Sequence, residues 1–268
     1  MLHLLVVTPT LGESEFFTQT VDSVNRFRVL KDLNLTHVVV CPESKIREMA
    51  LQAPSATILG EGPDCRSMYS AINMAVKSSD LPWTHFTYIN DDDFLLPDFG
   101  LLLANLYHKK ADFSYGLVDL VGDDGNLIYP IPIVRNPNHI IDLYSLGISP
   151  FTQQGTVVGR SLYEKLECFD DAFKYAGDMD FWCRACQMNP TYYFENKSVA
   201  AFRATGGQLS SHRTHFNSEI NEIRSRLTKP SKLRSIHALC LFYGMNGLRY
   251  LRRILLTGFK RSYTYLNE

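Results

Sequence analysis

The chain has 268 residues, of which 45% are hydrophobic and 21% charged, with a formal net charge of −1. That composition excludes a disordered chain and suits one large domain, or one domain with an appendage, around a substantial core. The near-neutral balance gives no general attraction to nucleic acid, and no apolar run approaches the length that spans a bilayer.

Leu2 to Thr8 is a short, continuous apolar run stopped by Pro9, the pattern of a buried strand. It is too short for a signal-peptide core. The six cysteines, Cys41, Cys65, Cys168, Cys183, Cys186 and Cys240, are scattered and mostly in apolar contexts. Both features predict a cytoplasmic protein with reduced thiols. Cys183 and Cys186 lack a second Cys/His pair at zinc spacing, and the sequons at Asn34 and Asn196 read as chance matches.

The loop Thr10-Leu11-Gly12-Glu13-Ser14 leads into a helix with an apolar stripe of Phe17, Val21 and Val24. His37 to Cys41 is a second buried strand, Lys45 to Gln52 a helix, and Ala56 to Leu59 a third strand. This alternation predicts a parallel α/β sheet with a nucleotide-type site at the C-terminal ends of its strands. Gly60 to Arg66 is a loop before a helix carrying Met68, Ile72, Ala75 and Val76 on one face. Its two glycines and Asp64 suit close backbone approach to a ligand, although the loop matches neither G-x-G-x-x-G nor the P-loop.

His85 to Asn90 is the next strand, and it ends in Asp91-Asp92-Asp93 before Phe94-Leu95-Leu96-Pro97. Three adjacent carboxylates repel one another. They are tolerable as an acidic surface turn, or where a hard cation such as Mg²⁺ or Mn²⁺ neutralises them beside substrate phosphates. Phe99 to His108 is a helix.

After residue 110 the pattern changes. Asp112 to Val121 and Leu127 to Ile133 are β-prone and flank Gly122 to Asn126, a hairpin turn that accounts for Asp123 and Asp124. Ile140 to Leu146 reads as a helix and Thr156 to Gly159 as a strand. A helix then opens at Gly177-Asp178-Met179-Asp180, where carboxylates suit the helix dipole. Residues two apart do not share a helix face, so Asp178 and Asp180 should have different roles. Tyr192 to Phe194 and Val199 to Arg203 read as two strands. The loop from Ala204 to Arg213 contains His212, either a metal or phosphate ligand or an ordinary loop residue, and a helix follows from Thr214 to Leu227.

From Lys229 onward basic residues dominate. A helical wheel puts Leu248, Leu251, Ile254, Leu255 and Phe259 on one side, with Arg249, Arg252, Arg253, Lys260 and Arg261 on the other. Two readings fit: an interfacial helix drawn to anionic lipid, or a helix packed on its own domain with a solvated basic face.

Taken together, Val6 to Thr10, the helix start Met68 to Asn73, the run Tyr88 to Pro97 and the segment Ala176 to Arg184 resemble the family 2 glycosyltransferases of GT-A fold. The resemblance covers residues 3 to 212. It implies a Rossmann-like αβα sandwich with a mostly parallel central sheet and a C-terminal helical appendage. It divides the chain into a catalytic domain over 1–212 (a nucleotide-binding half, 1–110, and an acceptor-binding half, 111–212) and a basic helical tail over 213–268. It further implies Mn²⁺ or Mg²⁺ held by Asp93, with Asp91 or Asp92 helping, and His212 as a further metal ligand. Asp92 would alternatively meet ribose or sugar hydroxyls. Thr8, Pro9, Thr10, Glu13 and Asp64 would line the nucleotide pocket, and Arg203, His212 and Arg213 would meet the diphosphate or order a closing loop. Asp178 would be the base of an inverting transfer from a UDP- or dTDP-linked sugar.

Three departures stand out. Val40-Cys41-Pro42-Glu43 replaces the usual aspartate after the second strand, which leaves uracil and thymine both open. Gly177 replaces a glutamate, and Asn90 stands at the first acidic position. The acceptor is expected to be a glycan or a lipid-linked one, in bacterial surface-polysaccharide or glycolipid synthesis, with the tail at the inner face of the cell membrane. Two other classes share this layout. A nucleotidyltransferase would want basic residues that Thr10 to Ser14 lacks, and a non-catalytic nucleotide- or sugar-binding protein would bind without turnover.

Overall fold

A computed structural model describes residues 1–78, 82–205, 213–227 and 230–258. The N-terminal half alternates strand and helix as the apolar periodicity predicts: β1 (Leu2–Pro9), α1 (Phe17–Asn25), β2 (Leu33–Cys41), α2 (Ile46–Gln52), β3 (Thr57–Gly60), α3 (Met68–Lys77) and β4 (His85–Tyr88). These four strands run parallel in the order β3-β2-β1-β4. The order reverses at β1, since β2 and β3 lie to one side of it and β4 to the other. A crevice opens at such a reversal, beyond the C-terminal ends of the strands.

β5 (Phe94–Leu95) and α4 (Phe99–Lys109) follow, and beyond them the sheet becomes mixed. β6 (Phe113–Val121) and β7 (Leu127–Pro130) form the expected hairpin, with Gly125 at φ +77° in its turn. α5 (Ile140–Ser145), β8 (Thr156–Gly159), α6 (Arg160–Lys165), α7 (Gly177–Gln187) and β9 (Tyr192–Arg203) complete this half. β8 joins the two halves by pairing antiparallel with both β4 and β6. The two short strands read between Tyr192 and Arg203 are one strand. Its register against β6 jumps from Gly116↔Glu195 to Leu117↔Ser198, so the polar residues between bulge outward while pairing continues. Val199 lies so close to β6 and the 153–155 loop that a Cβ on Gly116 or Gly155 would meet its methyls at 2.6 and 2.5 Å.

α8 (Arg213–Arg226) and α9 (Lys232–Thr257) end the described chain. Ile223, Ala238 and Phe242 are buried in the same cluster as Phe113, Phe151 and Trp182, so one core runs across residue 212. The side chain of Asn246 bonds both the N–H and the C=O of Ile133, in the manner of an added strand. α9 turns the opposite way from the wheel expectation of a solvated basic face. Arg249 is half-buried and Arg253 lies 4.8 Å from the Tyr129 ring, whereas Leu248, Leu251 and Leu255 face outward. The expectations for Phe259, Lys260 and Arg261 lie outside the described residues. No helix among the described residues is long and apolar enough to cross a membrane.

Candidate active site

The crevice at the β1/β4 reversal is walled by the acidic loop. Thr10, just past β1, donates its hydroxyl to Asp91 Oδ2 and accepts the Gly12 N–H. Ser14 donates to the Asp91 carbonyl at 2.9 Å and Thr20 of α1 to the Asp93 carbonyl at 2.6 Å. The loop after β1 and the start of α1 therefore set the backbone of residues 91–93. Asp91 is half-buried, and burial together with the charge of Asp92 pushes its pKa up to about 6, against the opposing bond from Thr10.

Asp93 does not face the crevice. It is fully buried, its Oδ1 accepts the Arg203 N–H at 2.9 Å, and its Oδ2 accepts from Gln154 (2.7 Å) and Asn90 (3.1 Å). Burial, reinforced by Asp92, raises its pKa well above the usual carboxylate range. That environment corrects the expectation of a metal ligand at Asp93, because an interior carboxylate with three donors anchors the loop from beneath. Arg203 is corrected likewise. Its guanidinium donates to the carbonyls of Asp92, Gly122 and Asp123 and to Gln19, and stacks 4.0 Å from the Phe16 ring. A group so engaged is not a ligand for a diphosphate.

The half-buried residues at this wall are Asn90, Asp91 and Asp92. Asn90 Oδ1 is buried without a hydrogen-bond partner, while Asp92 accepts from Thr205 at 3.3 Å. No group of three or more His, Cys, Asp and Glu side chains placed to hold a metal occurs among the described residues. The donor set still fits Mg²⁺ or Mn²⁺, which characteristically take one or two protein carboxylates and complete their shell with water and phosphate oxygens.

The remaining predicted pocket residues divide. Thr8 points into the sheet, its hydroxyl 2.9 Å from Nε2 of the fully buried His37, so it is not placed to meet a nucleotide. Pro9 is buried at the end of β1, and Glu13 and Asp64 are exposed on the loops after β1 and β3. His212 lies outside the described residues, as does the Arg213 side chain.

Across the crevice, α7 presents its two aspartates differently. Asp180 is buried and bonded to Arg184 at 2.7 Å, one turn on. Asp178 is half-buried, and its Oδ1 accepts the Met179 N–H at 2.8 Å and the Tyr69 hydroxyl at 3.2 Å. Burial raises its pKa, the two hydrogen bonds opposing. Tyr69, on α3, lies beside Tyr88 of β4, the strand that carries the acidic loop. Asp178 and the aspartate run thus open toward the same end of the sheet, linked by two phenols. Sequence reasoning missed Tyr69 as a site residue, although it stands within the helix start already singled out. It also missed Gln154, for which the sequence holds no signal, and Glu61. Glu61 is half-buried at the end of β3 beside Cys41, where burial raises its pKa.

Solved structures share this architecture. The S. aureus TarS 1–349 structure in complex with UDP-GlcNAc matches with a TM-score of 0.62 at 13% identity, over 99% of this chain and 78% of that one. Another S. aureus TarS structure matches at 0.61 and 15% identity, over 98% of this chain and 45% of that one. Mannosyltransferase PcManGT from Pyrobaculum calidifontis, in complex with GDP-Man and Mn²⁺, matches at 0.55 and 17% identity, over 94% and 73% of the two chains. The fold is GT-A. No sequence-family model and no curated protein matches the chain.

Proposed function

We propose that the chain is a metal-dependent, inverting glycosyltransferase that moves a hexosyl group from a nucleotide diphosphate sugar to an acceptor hydroxyl. The observation that carries this reading is the hydrogen bond of Asp178 to Tyr69, which lies beside Tyr88 on the strand that delivers Asp91 and Asp92. Asp92, with Asp91 and the Asn90 carbonyl, would hold the cation. A bound divalent cation supplies charge stabilisation for the departing nucleoside diphosphate. Asp178 Oδ2, free of the bonds that engage Oδ1, takes the proton from the acceptor hydroxyl as the oxygen attacks the anomeric carbon from the side opposite the leaving group. One carboxylate base is enough for a single displacement, which inverts the configuration. Glu61 at the nucleotide end would accept from a ring N–H, which uracil, thymine and guanine each offer. The UDP-, dTDP- and GDP-linked donors are therefore the ones to screen. The TarS and PcManGT complexes, with UDP-GlcNAc and with GDP-Man and Mn²⁺, support the nucleotide-sugar class.

Calorimetric titration of UDP, dTDP and GDP with and without Mn²⁺ tests this function. Metal-dependent binding that is lost in Asp92→Asn and kept in Asp178→Asn is the expected result. Equal affinity without metal, or binding of none of the three, would overturn it.

A glycan or lipid-linked acceptor, and a place in cell-surface polysaccharide or glycolipid synthesis, go with a second part of the proposal: contact with an anionic membrane surface through α9. Of 27 Lys and Arg and 28 Asp and Glu in the chain, α9 holds five and none, which leaves −6 on the remainder. Its outward Leu248, Leu251 and Leu255 would enter the headgroup layer while Lys232 and Arg252 meet phosphate at its flanks. Co-sedimentation with phosphatidylglycerol vesicles but not with phosphatidylcholine vesicles, abolished by Leu248→Glu/Leu251→Glu, is expected. Equal sedimentation of the variant would sink the membrane contact and leave the transferase reading standing.

A further inference from the structure

α7 begins without a side-chain cap of its own. Its N-cap residue is Ala176, and the segment that leads into it, residues 174–176, presents three backbone N–H groups outside the helix ladder. They are satisfied from another element. The Glu219 carboxylate, on α8, accepts the N–H groups of Lys174 (on Oε1) and of Tyr175 and Ala176 (on Oε2), each at 2.8 Å. One turn earlier on the same face of α8, the His215 ring stacks on Tyr175 with centroids 5.8 Å apart and planes 12° apart. On the opposite side α7 rests on Tyr69, because a Cβ at Gly177 would meet the Tyr69 ring at 2.7 Å. Asp178 is the next residue, and its Oδ1 receives the Tyr69 hydroxyl.

We propose that Glu219 is a positioning residue for Asp178: by gathering three consecutive backbone N–H groups it presses the start of α7 against Tyr69 and so fixes where the base stands. This deepens the transferase reading and rests on it only in taking Asp178 as the base. It makes α8, a surface helix beyond the expected catalytic boundary at residue 212, part of the catalytic apparatus. It also accounts for Gly177. The residue before the base is small because the Tyr69 ring occupies the space a side chain would need, and the Tyr69 hydroxyl holds the carboxylate.

The titratable groups that face Asp178 are Tyr69 from α3, Tyr88 from β4, Tyr144 from α5, Cys183 from its own helix and Glu219 from α8. Tyr69 and Glu219 act on it with opposite sign. The Tyr69 hydrogen bond favours the carboxylate, and the negative charge of Glu219 favours the protonated form. Removing each therefore moves the titration in a different direction, which mere loosening of the helix does not do.

The test is a ¹³Cγ-aspartate NMR titration of the whole chain, assigned through Asp178→Asn, in wild type, Glu219→Gln and Tyr69→Phe. The Asp178 midpoint is expected to move to lower pH in Glu219→Gln and to higher pH in Tyr69→Phe. Nucleotide release from UDP-GlcNAc or GDP-mannose should lose about tenfold to a hundredfold in kcat in Glu219→Gln, with KM and the calorimetric nucleotide Kd within about twofold of wild type. An unmoved or raised midpoint in Glu219→Gln overturns the proposal, as does an unchanged kcat. A wild type that releases no nucleotide would instead count against the transferase reading, and the NMR arm would still decide the role of Glu219. Should Glu219→Gln fail to fold, amide exchange in the wild type decides: protected N–H groups at 174–176 are expected, and exchange at the rate of an open loop overturns the proposal.

Discussion

The two sets of carboxylates in the proposed site, the acidic loop and Asp178, are held in different ways. The acidic loop is anchored from beneath: Asp93 is sunk in the interior with three donors, and Arg203 and Thr20 hold the carbonyls beside it. Asp178, the proposed base, is held by the buried Tyr69, and the start of its helix by Glu219 of a surface helix. The first arrangement ties the site to global stability. The second ties Asp178 to one buried phenol and, through the start of α7, to a surface helix. Substitutions on the two walls should therefore be read out by different instruments.

The largest expected effect on the open wall is Asp178→Asn, which should lower turnover about 10²- to 10⁴-fold, the usual range for a general base, while nucleotide affinity stays within about twofold. Retained turnover would remove the base from Asp178. On the sunken wall, Asp93→Ala should cost about 3–5 kcal/mol in denaturant unfolding, because three donors are left without their buried acceptor. Its neighbour Asp92→Asn should stay within about 0.5 kcal/mol of wild type and lose instead the metal-dependent part of nucleotide binding. If the two variants changed places, the division of labour along the aspartate run would be wrong. Arg203→Lys should cost about 2 kcal/mol, since an ammonium cannot reproduce the planar fork or the stacking on Phe16. Gly177→Ala should cost about 1–3 kcal/mol by overpacking against Tyr69 and should lower kcat in the same variant. The smallest effect is on pH. Asp178 works as a base only when ionised, and burial raises its pKa. The acid limb of kcat should therefore lie above the usual aspartate value of about 3.9, with activity present above the limb and lost as pH falls through it.

The parallel half was legible in the sequence because buried parallel strands are continuous apolar runs with abrupt ends, as at Pro9, Pro42 and Asn90. The hairpin was legible through Gly122 to Asn126. The aspartate run and Asp178 were also visible, since carboxylates clustered where an apolar element ends are conspicuous. Their individual depths were not. Whether Asp92 or Asp93 faces the crevice depends on Gln154 and Arg203, 61 and 110 residues away from Asp93, and no local pattern reports such partners. The bulge in β9 was hidden for a related reason: the polar residues 195–198 interrupt the alternation that marks a strand, while pairing to β6 continues around them. On α9 the wheel misplaced Arg252, which is exposed beside Leu248 and Leu251, and did not show which side would be covered. Tyr129 and the backbone of Ile133 take up Arg253 and Asn246, contacts that only the hairpin's position creates.

Arg203 has a consequence for the order in which the molecule is assembled. It is the last residue of β9, and the groups it binds lie 184, 111 and 81 residues earlier, on Gln19, Asp92 and Gly122. During synthesis the parallel half can gather its strands as they emerge, but its acidic loop lacks its anchor until residue 203 has left the ribosome. A chain stalled anywhere before that point lacks the group that holds the carbonyls of Asp92, Gly122 and Asp123. Under the proposed function, donor binding would therefore be one of the last properties the growing chain acquires.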